Sequence, residues 1–250
     1  MNPLIDLSCL SIYGLIFHGS SDERSRLASE ALTNRFRDRI ALPFQDQPLV
    51  YAAYLECHSL PLHQQIEQIA HQVQAKNPLK TIALRLLPVF LLPGVHLLED
   101  IPAEIAQAQQ LVGKVKLNVT AHLGSHSGLR QLLNDRMSPL PMEAWILLAH
   151  GSRRPNANQP IATLADDIGA TVAYWSTSPK LESRLSELVH SGCKHIGILP
   201  YFLFHGGITD AIARSITQFS QQHSSLKITL TDPLDASPGL VDLLVDLANE

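Results

Sequence analysis

Cysteine is scarce: the 250 residues include only Cys9, Cys57 and Cys193, too few and too scattered for a disulfide framework or a thiolate metal cluster. A reducing cytoplasm is therefore the expected compartment. Positive charge is not in surplus either, since 19 Lys and Arg stand against 23 Asp and Glu for a net charge of −4. The field of the whole molecule thus gives no reason to expect nucleic acid or an anionic membrane as partner. Nor is there a Gly-x-Ser-x-Gly nucleophile turn, a phosphate-cradling glycine loop, a histidine-rich tail or an apolar run long enough to span a bilayer. The apolar stretch Leu4 to Phe17 carries Asp6, lacks a basic start and runs into a turn, so it reads as a first strand rather than a secretion signal. With 45% apolar and 17% charged residues, the composition is that of a folded globular protein.

The chain repeats itself, in three matches that keep the same order. Gly14 to Ser20 (GLIFHGS) is echoed by Ile146 to Ser152 (ILLAHGS), and Ala83 to Leu91 (ALRLLPVFL) by His195 to Leu203 (HIGILPYFL). Leu117 to Leu133 then aligns without gaps on Ile228 to Leu244. From His18 to His150 the offset is 132 residues, and from Pro88 to Pro200 it is 112, so the first copy holds about twenty extra residues around Arg24 to Leu49. Met137 to Glu143, with Pro139 and Pro141, is the expected joint between halves at 1–137 and 138–250.

Within the first half, Tyr13 to Phe17, Leu49 to Leu55, Thr81 to Phe90 and Lys116 to Thr120 are short apolar runs bounded by turn residues, as strands are. Between them, Arg24 to Arg39, Leu62 to Gln74 and Ile101 to Gln110 place apolar residues three and four apart, as helices covering a sheet do. The second half repeats the scheme, with strands expected at Trp145 to Ala149, Ala170 to Trp175, His195 to Leu199 and Lys227 to Leu230. Such alternation predicts an α/β fold, a parallel sheet with helices on both faces in each half.

Ligands of open parallel sheets bind beyond the carboxyl ends of the strands. His18 stands at one such end, where Gly19 permits a sharp turn and Ser20 can cap the next helix. Glu56 ends a second strand, and His96 follows a third after the Pro93-Gly94 turn. Two imidazoles and a carboxylate from successive βα units suit a borderline divalent metal or proton transfer. The other histidines, His58, His63, His71, His122 and His126, follow no ligand spacing.

His18-Gly-Ser20, Leu55-Glu56 and Phe90 to Pro102, the last an apolar strand followed by Gly-x-His-x-x-x-Asp-Ile-Pro, resemble the signature positions of the class II tetrapyrrole chelatases, the sirohydrochlorin chelatase group. His150 to Pro155 and Pro200 to Leu203 extend the resemblance into the second half. It implies two similar doubly wound parallel-sheet lobes related by duplication, with a cleft between them. It also implies ATP-independent insertion of Fe²⁺ or Co²⁺ into sirohydrochlorin, the metal being a co-substrate and no cofactor being tightly held. The family's metal-site and catalytic residues carry over to His18, His96 and Glu56. Arg24, Arg26 and Ser20 are then the candidate contacts for the carboxylates of the substrate. In the second half Ser176 stands where Glu56 would repeat and Ile208 where His96 would, which makes that half a degenerate wall, with His150 and His205 as a lesser candidate site. Ser21 departs from the arginine usual after His-Gly-Ser in the family. With both halves in one chain, a monomer is the expected assembly. The rival readings are a non-catalytic tetrapyrrole or metal carrier of the same fold and, less well supported, a metal-dependent hydrolase.

Overall fold

The computed structural model describes residues 9–41 and 48–250. The Leu4 to Ser8 part of the expected first strand, and 42–47 within the extra segment of the first half, lie outside the described residues. The first half runs β1 (Cys9–Phe17), α1 (Glu23–Ile40), β2 (Leu49–Tyr54), α2 (Leu62–Lys76), β3 (Thr81–Pro88), a π-helical turn (His96–Asp100), α3 (Ile101–Leu111), β4 (Lys116–Val119) and α4 (Leu129–Met137). The second runs β5 (Ala144–Ala149), α5 (Gln159–Asp167), β6 (Thr171–Tyr174), α6 (Leu181–His190), β7 (His195–Pro200), α7 (Gly207–Gln222), β8 (Lys227–Leu230) and α8 (Pro238–Asn249).

Each half forms a four-stranded sheet, in the order β2-β1-β3-β4 and then β6-β5-β7-β8, with every pairing parallel. The expected α/β architecture and its duplication are thus present down to strand order. The backbone repeats as well: the amide of Glu56 bonds the carbonyl of His18 at 2.8 Å, and that of Ser176 bonds the carbonyl of His150 at 2.8 Å.

Alternation along β1 explains its double coverage. Ile12 and Ile16 join Leu84 and Leu86 of β3, Ile66 and Val73 of α2, and Ile101 of α3 in one buried cluster. On the opposite face Tyr13 meets Phe36 of α1 edge-on at a ring distance of 5.7 Å, and Leu32 beside it is fully buried. Strands buried on both faces read as near-continuous apolar runs, as β1 and β3 do. Leu84 has no exposed surface, so Leu84→Ala should cost about 2–5 kcal/mol of unfolding free energy. A urea transition shifted to lower midpoint with unchanged slope would register this, and an unshifted midpoint would contradict it.

Compact units and sequence halves differ in their last helices. One unit comprises 1–126 with 241–250, and the other 127–240. In the first, Arg39 donates to Asp242 at 2.7 Å and Arg85 donates to the carbonyl of Ala248. In the second, Arg136 at the end of α4 donates to the carbonyls of Asp232 at 2.9 Å and Pro233 at 2.7 Å, and burial lowers its pKa from the ordinary value. No helix among the described residues is long and apolar enough to cross a membrane.

Candidate metal centre

The chain order places β1 between β2 and β3, so the connections leaving β1 and β3 diverge at their carboxyl ends. A crevice opens where strand order switches in this way. β1 delivers His18 there, with its side chain half exposed, directly after the buried Phe17. Gly19 follows at φ +90°, a left-handed conformation that a residue with a side chain adopts at a cost. Ser20 does not cap α1. Its hydroxyl accepts the amide of Asp22 at 3.0 Å, and Asp22 is the cap, accepting the amide of Arg24 at 3.0 Å. The helix starts at Glu23, beyond the reach of Ser20.

Parallel pairing continues one step past β2, the Leu55 amide bonding Phe17 and the Glu56 amide bonding His18, and this carries Glu56 to the side of His18. On the other side of β1 the Val89 amide bonds Ile16, and the loop after it leads to His96 at the head of the π-helical turn. The rings of His18 and His96 stand 4.8 Å apart and nearly perpendicular at 84°. Glu56 lies between them, Oε2 at 4.0 Å from His18 Nδ1 and Oε1 at 4.0 Å from His96 Nε2. One ligand atom from each of the three falls within 4.8 Å of the others.

Three atoms bound to one tetrahedral ion at about 2.1 Å would stand roughly 3.4 Å apart, so small side-chain rotations close this set on a metal. Two neutral imidazoles and one carboxylate suit Fe²⁺ and Co²⁺. Three candidate ligands would leave coordination positions open, which a closed structural site does not. Among the described residues no second group of three such ligands comes together. In the second half, Ser176 spends its hydroxyl on the carbonyl of Gly151 at 3.0 Å, and His205 Nε2 stands 3.6 Å from Asp232.

Arg24 and Arg26 lie in the first turn of α1, about half exposed and engaged by acids of their own segment. Arg24 forks onto Asp22, with distances of 2.7 and 3.1 Å, while Arg26 pairs with Glu23 and Glu30. These bonds lower the Asp22 and Glu23 pKa values and raise that of Arg26.

Two features beside the centre were not singled out in the sequence. Asp100, present in the sequence as the acid of the Gly-x-His-x-x-x-Asp-Ile-Pro motif with no role attached, holds His96 Nδ1 at 2.7 Å. The signal was the His-x-x-x-Asp spacing, one helical turn. A largely apolar groove of 640 Å³ is lined by Leu97 and Leu98, which follow His96 in the chain, with Ile101, Ile105, Val119 and His122. Burial lowers the pKa of His122 and favours its neutral form.

The family model described as CbiX matches residues 13–140 and again 144–250. A sirohydrochlorin cobaltochelatase of Priestia megaterium is 25% identical over 180 residues, which cover 66% of this chain and 59% of that protein. A sirohydrochlorin ferrochelatase of the same organism is 23% identical over 242 residues, covering 92% of this chain and 86% of that one. The solved structure of SirB from Bacillus subtilis with Fe³⁺ superposes with a TM-score of 0.78 at 18% identity, over 96% of this chain and 95% of SirB, a likeness of fold.

Proposed function

Because this chain belongs to the CbiX family, we propose that it is an ATP-independent chelatase that inserts Fe²⁺ or Co²⁺ into sirohydrochlorin. The observation that carries the reading is the convergence of His18, Glu56 and His96 at half-exposed strand ends. The relatives named for ferrochelatase and cobaltochelatase activity support both the substrate and the choice of metals.

The residues suggest how the exchange runs. Metallation takes two N–H protons from the macrocycle and puts one divalent ion in their place, so charge balances and no group transfer is needed. His18, Glu56 and His96 displace part of the water shell of the ion and hold it where the ring nitrogens can reach it. As the ion passes to the ring, the ligands it leaves are free bases, and an imidazole and the Glu56 carboxylate can accept the two departing protons. The apolar groove lined by Leu97 and Leu98, the residues after His96, lies within the volume range of small-molecule sites and offers a surface for one flank of the macrocycle. Arg24 and Arg26 are the proposed contacts for its carboxylates, which would compete with Asp22, Glu23 and Glu30 for the guanidiniums. Ser20, in the turn between His18 and these arginines, is the remaining proposed contact. We place the working site in the half 1–137 and read 138–250 as a copy without the metal set, in a monomer of the reducing cytoplasm.

The test is anaerobic absorbance of sirohydrochlorin mixed with Fe²⁺ or Co²⁺, with and without the protein. Metallation accelerated in proportion to protein concentration is the expected result. A bound spectrum with no acceleration would replace the chelatase by a carrier.

A further inference from the structure

His96 carries two ring nitrogens with different surroundings. Nε2 faces Glu56 at 4.0 Å and belongs to the metal set, whereas Nδ1 points away from it onto Asp100 Oδ2 at 2.7 Å. A carboxylate only accepts, so the short contact calls for the proton on Nδ1, and in the neutral ring this leaves the Nε2 lone pair free toward Glu56 and His18. The π-helical turn His96–Asp100, closed by the amide of Ile101 on the carbonyl of His96, holds the two side chains on the same side of the chain. Asp100 precedes α3, yet its side chain makes no cap hydrogen bond. Its carboxylate is therefore not committed to starting the helix. The second half loses both members of the pair together, with Ile208 at the position of His96 and the buried Ile212 at that of Asp100.

We infer that Asp100 is a positioning residue of the metal centre, fixing His96 in the tautomer whose Nε2 takes the incoming ion. His18 shows no such division, since its Nδ1 lies both 4.0 Å from Glu56 Oε2 and 3.0 Å from the carbonyl of Gly19. The two imidazoles are thereby unequal: only His96 has a carboxylate on the nitrogen turned away from Glu56, which makes it the more strongly donating ligand. The inference rests on the reading of His18, Glu56 and His96 as a metal centre, and its test uses metal alone.

Co²⁺ is titrated anaerobically into the full-length protein and followed by its visible absorption, for wild type, Asp100→Ala and Asp100→Asn, with sirohydrochlorin absent. Loss of such an outer partner commonly weakens metal binding about 10–100-fold, and that is the expectation for Asp100→Ala. Asp100→Asn keeps an oxygen acceptor of the same size without the charge and should fall between Asp100→Ala and wild type. Long-range ¹H–¹⁵N spectra of the metal-free proteins read the tautomer directly: His96 should be protonated on Nδ1 in wild type and should lose that preference in Asp100→Ala. An ordinary surface pair would leave both readouts unmoved. Co²⁺ affinity within roughly twofold of wild type in Asp100→Ala, or an Nε2-protonated His96 in wild type, would overturn the inference. Should Asp100→Ala lose its far-ultraviolet circular dichroism, the isosteric Asp100→Asn carries the comparison. Wild type that binds Co²⁺ but never metallates sirohydrochlorin would sink the chelatase reading and leave this one standing.

Discussion

His18→Ala and His96→Ala should each lower the rate of sirohydrochlorin metallation by at least about a hundredfold. Either change leaves Glu56 with a single imidazole, removing one of the three ligand atoms that lie within 4.8 Å of one another. It also removes a base from the place where the macrocycle releases its protons, so ion delivery and proton acceptance fail together. The two variants should differ in character. His96→Ala strips the site of the ring whose outer nitrogen is backed by the Asp100 carboxylate, and so should weaken Co²⁺ binding more than His18→Ala does. His150→Ala and His205→Ala, in the half where no ligand triad forms among the described residues, should metallate at close to the wild-type rate. Activity that survives loss of His18 and His96 but falls with His150 or His205 would transfer the site to the second half.

Gly19→Ala should damage the fold and the centre at once. Gly19 adopts φ +90°, and a Cβ built on it would lie 2.0 Å from the carbonyl oxygen of Glu56 and 2.8 Å from its carbonyl carbon. Both obstacles are backbone, so no side-chain rotation relieves them. The chain must shift either His18 or Glu56, whose main chains are joined by the 2.8 Å hydrogen bond between them. A stability loss of about 2 kcal/mol or more is expected, with reduced metallation even in molecules that remain folded. Gly113→Ala separates the two causes, because Gly113 has φ +60° and nothing within 4 Å of the added atom. That control should cost only the conformational strain, about 1–2 kcal/mol, and leave the rate per folded molecule intact. Equal behaviour of the two variants in chemical denaturation and in metallation would show that the contact with Glu56 does not matter.

The strands were legible in the sequence because β1, β3, β5 and β7 are buried on both faces, and burial of that kind leaves runs such as LIF and ILLA with hardly a polar interruption. The repeat then fixed the equivalence of the two sheets. The three candidate ligands were legible for a topological reason: residues just past parallel strands share one edge of the sheet. The role of Asp100 was not legible although the residue stands in the Gly-x-His-x-x-x-Asp-Ile-Pro motif, because an acid near a helix start has an ordinary explanation in the helix dipole and nothing in the string says which way its carboxylate turns. Ser20 was misassigned as a cap through a boundary of a few residues, the least certain part of any helix drawn from sequence. The last helices, α4 and α8, overlap the aligned segments Leu117 to Leu133 and Ile228 to Leu244, which were read as a repeat but not as helices or as partners. An apolar stripe such as Leu240, Leu244 and Leu247 announces that a face will be buried, while the sheet that buries it is a tertiary matter.

That exchange of final helices bears on why a half without a metal set persists. Residues 241–250, encoded at the end of the second copy, complete the compact unit that holds His18, Glu56 and His96, and 127–137 from the first copy complete the other. A gene cut back to the first copy would release a unit without its closing segment, losing the Asp242 partner of Arg39 and the Ala248 partner of Arg85. The second half is thus tied to the first unit by ten residues of packing, whether or not it carries chemistry of its own.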